Sequence, residues 1–249
     1  MRTLTLMAAA GLCVGLMLAQ NPPVSASADD PRLTVHWLVR EDIFAGFMIN
    51  DEARLANGER TLSRLLIERP AEKANIIAWQ GWAAVTRSVY AHEQNDESQF
   101  GKYYGMADDL YAEASRLAPI SQSVAIIIGG SYAALGDRLP DKYRPGAWSQ
   151  AYDMYRKVWK QQSKDLDSFP VHIKGELLAG LAQTAQRTGR NAEMLEDLNL
   201  IIEKLPDTPY AARARKWKDN PEIAPRTSII CQTCHEPGRL SARIAALAR

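Results

Sequence analysis

Between residues 41 and 218, apolar residues recur every three or four positions, with polar and charged residues between them. This spacing places apolar side chains on one face of an α-helix, and the alternation typical of strands is scarce. The pattern predicts helices of roughly 15–20 residues that pair as antiparallel hairpins. Prolines, glycines and polar runs predict breaks at Pro70, 95–98, Pro119, 140–146, 168–170, Gly189 and Pro206.

Small and aromatic residues recur at set spacings along these hairpins. The series are Ala107, Tyr111, Ala114 and Pro119; then Gly129, Tyr132, Gly136, Ala151 and Tyr155; then Leu181, Ala182, Ala185, Gly189, Leu198, Ile201 and Pro206; and, more weakly, Leu62, Leu65 and Pro70. They resemble tetratricopeptide repeats, which have two helices in each 34-residue unit. The resemblance covers residues 41–218. It implies a stacked solenoid whose concave surface binds a peptide or protein partner.

The repeats are degenerate, because Pro70, Pro119 and Pro206 are 49 and 87 residues apart rather than at multiples of 34. A generic helical bundle therefore remains an alternative. The predicted fold class is all-α, with antiparallel hairpins stacked as a degenerate tetratricopeptide-like solenoid. Residues 29–40 form an N-terminal segment before it, and residues 219–249 form a linker and C-terminal tail.

The N-terminus has the composition of a secretory signal peptide. Arg2 precedes an apolar run from Leu4 to Ala19, and residues 26–28 read Ala-Ser-Ala, a cleavage sequence. Cleavage after Ala28 predicts a periplasmic or secreted protein that keeps no membrane segment. A retained N-terminal anchor is the alternative.

The charge balance argues against one class of partner, nucleic acid. The chain has 30 Lys and Arg against 29 Asp and Glu, and removal of residues 1–28 leaves 29 of each sign. No basic face suggests a nucleic-acid partner.

The most specific motif is Cys231-Gln232-Thr233-Cys234-His235. On a helix, the two thiols and the imidazole project from one face because they occupy positions i, i+3 and i+4. The spacing C-x-x-C-H is the attachment site of a c-type haem, in which each thiol bonds one vinyl group and the histidine binds iron. We predict one covalent haem c, anchored by Cys231 and Cys234, with His235 as its proximal metal ligand. Such a protein transfers electrons or senses a small ligand, and it implies a redox partner.

Other uses of the motif remain open. A structural zinc site needs four ligands, and this motif supplies at most three. A C-x-x-C disulfide is a further alternative, although the strand–helix setting of thioredoxin-like proteins is absent. A haem-free interaction scaffold, in which the motif is incidental, is the main competing function.

Only 14 residues follow His235, and none is Met or His. This position resembles that in the cytochromes c-prime, in which the motif lies in the last helix of a bundle and the iron is often five-coordinate. A sixth ligand would have to come from upstream. The candidates are His36, His92 and His172, and more weakly Met48, Met106, Met154 and Met194, which we expect to fill gaps in the core. We expect His92 in a polar loop and His172 at the start of a helix after Pro170.

The sequence shows little other chemistry. The six tryptophans lie at helical spacing and are expected in the core, and the carboxylate pairs Glu41–Asp42 and Asp108–Asp109 are expected on solvated faces. There is no glycine-rich phosphate loop and no hydrolase triad. The sequence favours an electron carrier or scaffold over an enzyme.

After the motif, Pro237-Gly238 marks a turn or helix break. Leu240, Ile244 and Leu247 then form an apolar stripe at helical spacing. We predict a short C-terminal helix that folds over the haem or docks on the helical array.

Overall fold

The computed structural model describes residues 30–230 and 238–247. The predicted signal peptide with its cleavage after Ala28, and the motif residues Cys231, Cys234 and His235, lie outside the described residues. No helix within 30–230 or 238–247 has the length and apolar character needed to cross a bilayer.

Within these two ranges all regular structure is helical, which confirms the all-α fold class. Short 3-10 turns lie at Pro70–Glu72, Gly136–Arg138, Ser163–Ser168 and Pro221–Arg226. The α-helices are α1 (Val35–Ile49), α2 (Glu52–Glu68), α3 (Lys73–Glu93), α4 (Glu97–Leu117), α5 (Gln122–Leu135), α6 (Arg144–Gln162), α7 (Val171–Arg187), α8 (Asn191–Lys204), α9 (Pro209–Asp219) and α10 (Arg239–Leu247).

The helix boundaries follow local chemistry. At three helix starts, the side chains of Asp51, Asp96 and Ser121 accept hydrogen bonds from backbone N–H groups in the first turn, which otherwise lack a partner. Gly189 adopts φ +74° between α7 and α8, a conformation that glycine reaches without strain. The predicted breaks coincide with helix ends, except that α4 begins at Glu97, inside the predicted break at 95–98, and α6 at Arg144, inside that at 140–146.

Neighbouring helices pair as hairpins, α1 with α2, α3 with α4, α5 with α6 and α7 with α8. Successive hairpins stack, since α2 packs on α3, α6 on α7 and α8 on α9. On one side, α1, α3, α5 and α7 lie next to one another, and we call these four helices the odd-helix layer. Stacking buries the apolar face that a single hairpin would leave exposed.

The positions that carry the repeat-like spacing form the core. Ala107, Tyr111, Ala114, Tyr132, Ala151, Tyr155, Leu181, Ala182, Ala185, Leu198 and Ile201 are all buried, as are Leu62 and Leu65. Four of the six tryptophans follow the same expectation, because Trp79, Trp82, Trp148 and Trp217 are buried. Trp37 and Trp159 are only partly buried against the core.

Aromatic rings pack directly on helical glycines where helices cross. A Cβ added at Gly81 would lie 2.3 Å from Cε1 of Tyr111, and one added at Gly180 would lie 1.9 Å from Cε1 of Tyr155. Helices also approach closely at Gly129, where an added Cβ would lie 3.0 Å from Cβ of Met154. Each glycine thus provides the space that a neighbouring side chain occupies.

The segment after α9 is docked on the array. Ala224 and Ile229 are almost fully buried. Arg187 of α7 donates hydrogen bonds to the carbonyl oxygens of Ala224, at 2.7 Å, and Thr227, at 3.0 Å. The indole of Trp217 donates to the Thr227 hydroxyl at 2.8 Å. Residues 221–230, which the sequence suggested as a linker, therefore belong to the packed structure.

A buried carboxylate joins α6 to α8. Asp197 is 5% exposed, and its Oδ2 accepts a hydrogen bond from Nη2 of Arg156 at 2.7 Å. Burial raises the pKa of Asp197 from 3.8 to about 7, and the attraction of Arg156 offsets only part of that increase.

We expect this carboxyl to make folding pH-dependent. The folded state binds the Asp197 proton more tightly than the unfolded state does, so this group's contribution to stability falls as pH rises from about 4 to 7. Between pH 5 and pH 8 the wild type should lose roughly 2 kcal/mol more unfolding free energy than Asp197→Asn. Urea unfolding of both proteins at the two pH values measures the difference. An equal pH dependence of the unfolding free energy in the two proteins would contradict the raised pKa of Asp197.

Candidate functional site

The two flanks of the cysteine motif are described, and both are attached to the odd-helix layer. On the N-terminal side, Gln183 of α7 is 1% exposed and its amide donates to the Ala133 carbonyl of α5 at 3.3 Å. Its Oε1 accepts from the Ser228 hydroxyl at 2.8 Å and from the Ile229 N–H at 3.0 Å. A single buried side chain therefore fixes the chain two residues before Cys231.

On the C-terminal side, the motif is followed by a contact with α1. The carboxylate of Glu41 accepts hydrogen bonds from the backbone N–H groups of Gly238, at 3.3 Å, and Leu240. These groups open α10, where a carboxylate satisfies backbone donors and interacts favourably with the helix dipole. Nη1 of Arg32 also donates to the Leu247 carbonyl at 3.2 Å.

The predicted apolar stripe of the C-terminal helix makes contact as expected. Leu240, Ile244 and Leu247 are partly buried against the hydrophobic core, and α10 packs on α1. Of the two arrangements predicted for this helix, folding over the haem or docking on the array, the structure shows docking on α1.

An aromatic cluster lies beside these contacts on α1 and α3. The rings of Trp79 and Trp82 stack with centroids 5.1 Å apart and an interplanar angle of 13°. Phe44 packs edge-on against both, at 6.0 and 5.1 Å, and Phe47 lies 5.7 Å from Trp82. The ring of His36 completes the cluster at 5.5 Å from Trp79. We call these five residues the aromatic wall.

His36 lies in the first turn of α1, where its ring contacts that of Trp79. The residue is exposed by its surface area, although protein atoms crowd it at slightly longer range. The resulting desolvation, together with the charges of Arg40 and His172, lowers the pKa of His36 from 6.5 to about 4. The imidazole is therefore neutral at neutral pH and keeps a nitrogen lone pair.

His36 lies in the first turn of α1 and His172 in the first turn of α7, and α3 and α5 lie between those helices in the odd-helix layer. A positive charge on His172 would disfavour a positive charge on His36.

His172 belongs to a chain of polar contacts between α7 and α9. Its Nδ1 lies 3.3 Å from the hydroxyl of Tyr210, which in turn donates to Oε1 of Glu176 at 2.7 Å. Since the tyrosine has one proton, this arrangement fits a histidine whose Nδ1–H donates to the tyrosine oxygen. The prediction that His172 opens a helix after Pro170 is confirmed.

Positive charge lies beside the aromatic wall. The guanidinium carbon of Arg40 is 3.6 Å from the centroid of the Trp37 ring, and that of Arg243 is 5.5 Å from the same ring. One cation comes from α1 and the other from α10. An anionic group entering between these helices would meet both.

The other candidate iron ligands lie elsewhere. His92 was expected in a polar loop, which is wrong, because it lies in the last turn of α3 with its ring 6.1 Å from that of Phe100. Met194 is buried, as expected of a core residue, and Met154 is half-buried against the core. The same expectation is wrong for Met48 and Met106, which are 38% and 43% exposed.

Two residues that hold the tail were not identified from sequence. Glu41 was assigned to a solvated face, but it accepts the N–H groups that open α10. Its neighbour Asp42 is also paired, with Arg54 at 2.9 Å and Asn57 at 2.7 Å. Gln183 carried no signal beyond being a polar residue inside an apolar helical run of Leu and Ala.

Within the described ranges, no group of three or more His, Cys, Asp or Glu side chains is arranged to hold a metal ion. Comparison of the chain with protein-family models, with curated proteins and with solved structures finds no match.

Proposed function

We propose that this protein is exported, binds a protein partner through its tetratricopeptide-like helical array, and carries one c-type haem that transfers electrons. Cys231 and Cys234 would be the covalent anchors and His235 the proximal ligand. The observation that carries the proposal is the motif C-x-x-C-H between two flanks that are held by α7 and α1 of the odd-helix layer. The rest of the odd-helix layer would supply the partner surface.

The described residues include groups of the kinds that a bound haem requires. A haem requires an apolar surface for its macrocycle and polar or positive partners for its two propionates. Within the aromatic wall, Trp79, Trp82 and Phe44 are buried, so the half-buried Phe47 and the exposed His36 would offer the apolar surface. Arg40 and Arg243 would supply the positive charge. In addition, the buried indole N–H groups of Trp79 and Trp82 have no hydrogen-bond partner in the part of the chain that the structure describes. Unpaired buried donors are rare in folded proteins, so a bound acceptor would relieve a cost of about 1–3 kcal/mol for each.

The iron of a bound haem would supply a one-electron ferric/ferrous couple. The residues of this chain would position that group and modify its surroundings. Gln183 and Glu41 fix the two ends of the segment that bears the anchors. The aromatic wall excludes water from one side, and burial and local charge are two ways by which a protein adjusts a haem potential.

We expect the mature protein to carry an extra mass of about 616 Da when it is made in a host that attaches c-type haem. The mass of the intact protein measures both this addition and the position of signal cleavage, expected after Ala28. In Cys231→Ser/Cys234→Ser the addition should be lost completely. A colourless protein without added mass, produced under conditions in which a control cytochrome is matured, would overturn the haem proposal.

The second candidate is a haem-free interaction scaffold, and the docked tail favours it. Residues 228–230 and α10 make their contacts with Gln183 and Glu41 through protein groups alone. The same double variant separates the two functions, because a scaffold should keep its fold and partner binding without the thiols. A zinc-binding tail or a C-x-x-C disulfide is a weaker alternative, to be identified by metal analysis and thiol titration of the haem-free protein.

A further inference from the structure

We infer that this protein forms a symmetric dimer in which α4 of each copy packs antiparallel against α4 of the other, over the groove between α2 and α4. The inference goes beyond the proposed function and does not depend on an attached haem. It assigns a partner, a second copy of this chain, to a surface formed by α2, α3 and α4.

The groove between α2 and α4 has α3 as its floor and a volume of about 410 Å³. Ala83 and Ala84 of α3 lie in the floor, Ser63 belongs to the α2 wall, and Met106 and Leu110 belong to the α4 wall. The small alanine side chains leave space between the two walls. Side chains from outside can therefore enter the groove and pack against apolar groups.

The α4 wall carries an apolar stripe that is separate from the residues by which α4 packs on the core. The core-facing residues are Phe100, Ala107, Tyr111 and Ala114. The second stripe, which we call the outer stripe, repeats at intervals of three and four residues and consists of Tyr103, Met106, Leu110, Glu113 and Leu117. This is the heptad spacing by which one helix packs along another. Met106 and Leu117 are 43% and 40% exposed, so the described residues leave the outer stripe partly uncovered.

The α2 wall has an exposed apolar residue as well. Ile67 is 83% exposed and lies four residues after Ser63, which places it on the same face of α2. Exposed side chains of Ile67, Met106 and Leu117 thus border one groove from both sides. Covering them would remove apolar surface from water, which is the main favourable contribution to protein association.

A second copy of this chain supplies a helix that matches the groove. The outer stripe of one α4 has the spacing needed to pack along the outer stripe of another, and a two-fold axis lets both copies use the same surface. When the two helices run antiparallel, Met106 of each copy lies opposite Leu110 of the other. Each α4 then covers the groove of the second copy.

The charges beside the outer stripe favour the antiparallel arrangement. With Met106 opposite Leu110, Lys102 of one copy faces Glu113 of the other, and the two-fold axis forms this pair twice. In a parallel dimer, Lys102 would face Lys102 and Glu113 would face Glu113, which places like charges together. Charges that flank a helix seam set the orientation of the helices in this way. Glu113 also bonds to Lys73 of its own chain at 2.9 Å, yet its side chain remains 37% exposed and accessible to a second lysine.

Sedimentation velocity of the mature protein over a wide dilution series measures the association. We expect particles of twice the mass of one chain at high concentration. Met106→Asp places a charge at the centre of the interface and should weaken dimerisation by about 30-fold or more, as replacement of a central interface residue does. Leu195→Asp is the matched control, because Leu195 of α8 is also 43% exposed but lies away from the groove. It should leave the dimer unchanged.

Exchange of charges tests the antiparallel pairing. Lys102→Glu places an acidic group opposite Glu113, and Glu113→Lys places a basic group opposite Lys102, so each variant alone should dimerise more weakly than the wild type. An equal mixture of the two variants should form a heterodimer, because opposite charges then meet at both sites. A folding defect in either variant would not be repaired by mixing.

A wild type that stays monomeric at every concentration would overturn the inference. A dimer that Met106→Asp leaves intact, or that Leu195→Asp disrupts equally, would also overturn it, because the interface would then lie elsewhere. A mixture of the two charge variants that does not recover association would overturn the antiparallel pairing. If Met106→Asp did not fold, as judged by circular dichroism, the mixing experiment would decide. Association is measured independently of the haem mass, so failure of this inference and failure of the proposed function are distinguishable.

Discussion

Replacing Gly180 by alanine is expected to lower the free energy of unfolding by about 3 kcal/mol. The added Cβ would lie 1.9 Å from Cε1, 2.2 Å from Cζ and 2.5 Å from Cδ1 of Tyr155. These distances are far inside van der Waals contact, and Tyr155 is 3% exposed, so the ring cannot move aside without displacing the core between α6 and α7. Urea unfolding followed by circular dichroism measures the change.

Gly105→Ala is the matched control for this variant. Gly105 also lies inside a helix, but a Cβ there would have no heavy atom within 4 Å. Because alanine favours the helical conformation over glycine, this change should increase stability by up to about 1 kcal/mol. Similar effects of the two substitutions would show that helix propensity, and not contact with Tyr155, decides the result at Gly180.

The second large loss of unfolding free energy is expected when Gln183 is replaced. Its replacement by alanine removes the acceptor of the Ile229 N–H and the donor to the Ala133 carbonyl, both in a buried setting. Leaving buried polar groups unpaired costs about 1–3 kcal/mol each, so we expect a loss of roughly 3 kcal/mol. The segment after α9 should also become accessible to protease, which limited digestion followed by mass spectrometry would detect.

Gln161→Ala provides the comparison, since that glutamine is exposed in the last turn of α6. Its effect should be within about 0.5 kcal/mol, with no new cleavage near the C-terminus. If Gln183→Ala left the protease pattern unchanged, the tail would be held mainly by its other contacts, such as those with Arg187 and Glu41.

Much of the helical framework could be predicted from local signals. Pro70, Pro119 and Gly189 mark helix ends because their backbones do not suit continued helix at those places. The stripe of Leu240, Ile244 and Leu247 predicted a docked C-terminal helix by the same periodic reasoning. Such features depend on residues within one or two helical turns of each other, so a single sequence contains them.

The contacts that build the candidate site depend on distant parts of the chain. Leu240 and Glu41 are separated by 199 positions, and Ile229 and Gln183 by 46. A single glutamate or glutamine gives no local signal of such a partner. The error at His92 was local instead: α3 continues to Glu93, and the turn occurs at Asn95, where φ is 58°.

The docking of α10 on α1 also has a consequence for cooperativity. In an open series of hairpins, each terminal unit has a neighbour on one side only, and loss of structure can begin there and spread inwards. Here the last helix of the described chain covers the first, and Arg32 bonds to the carbonyl of Leu247. The first and last helices of the described chain are therefore in contact, so local unfolding of either one must break its contacts with the other. Contact between α1 and α10 should make local unfolding at either end of the described chain less favourable.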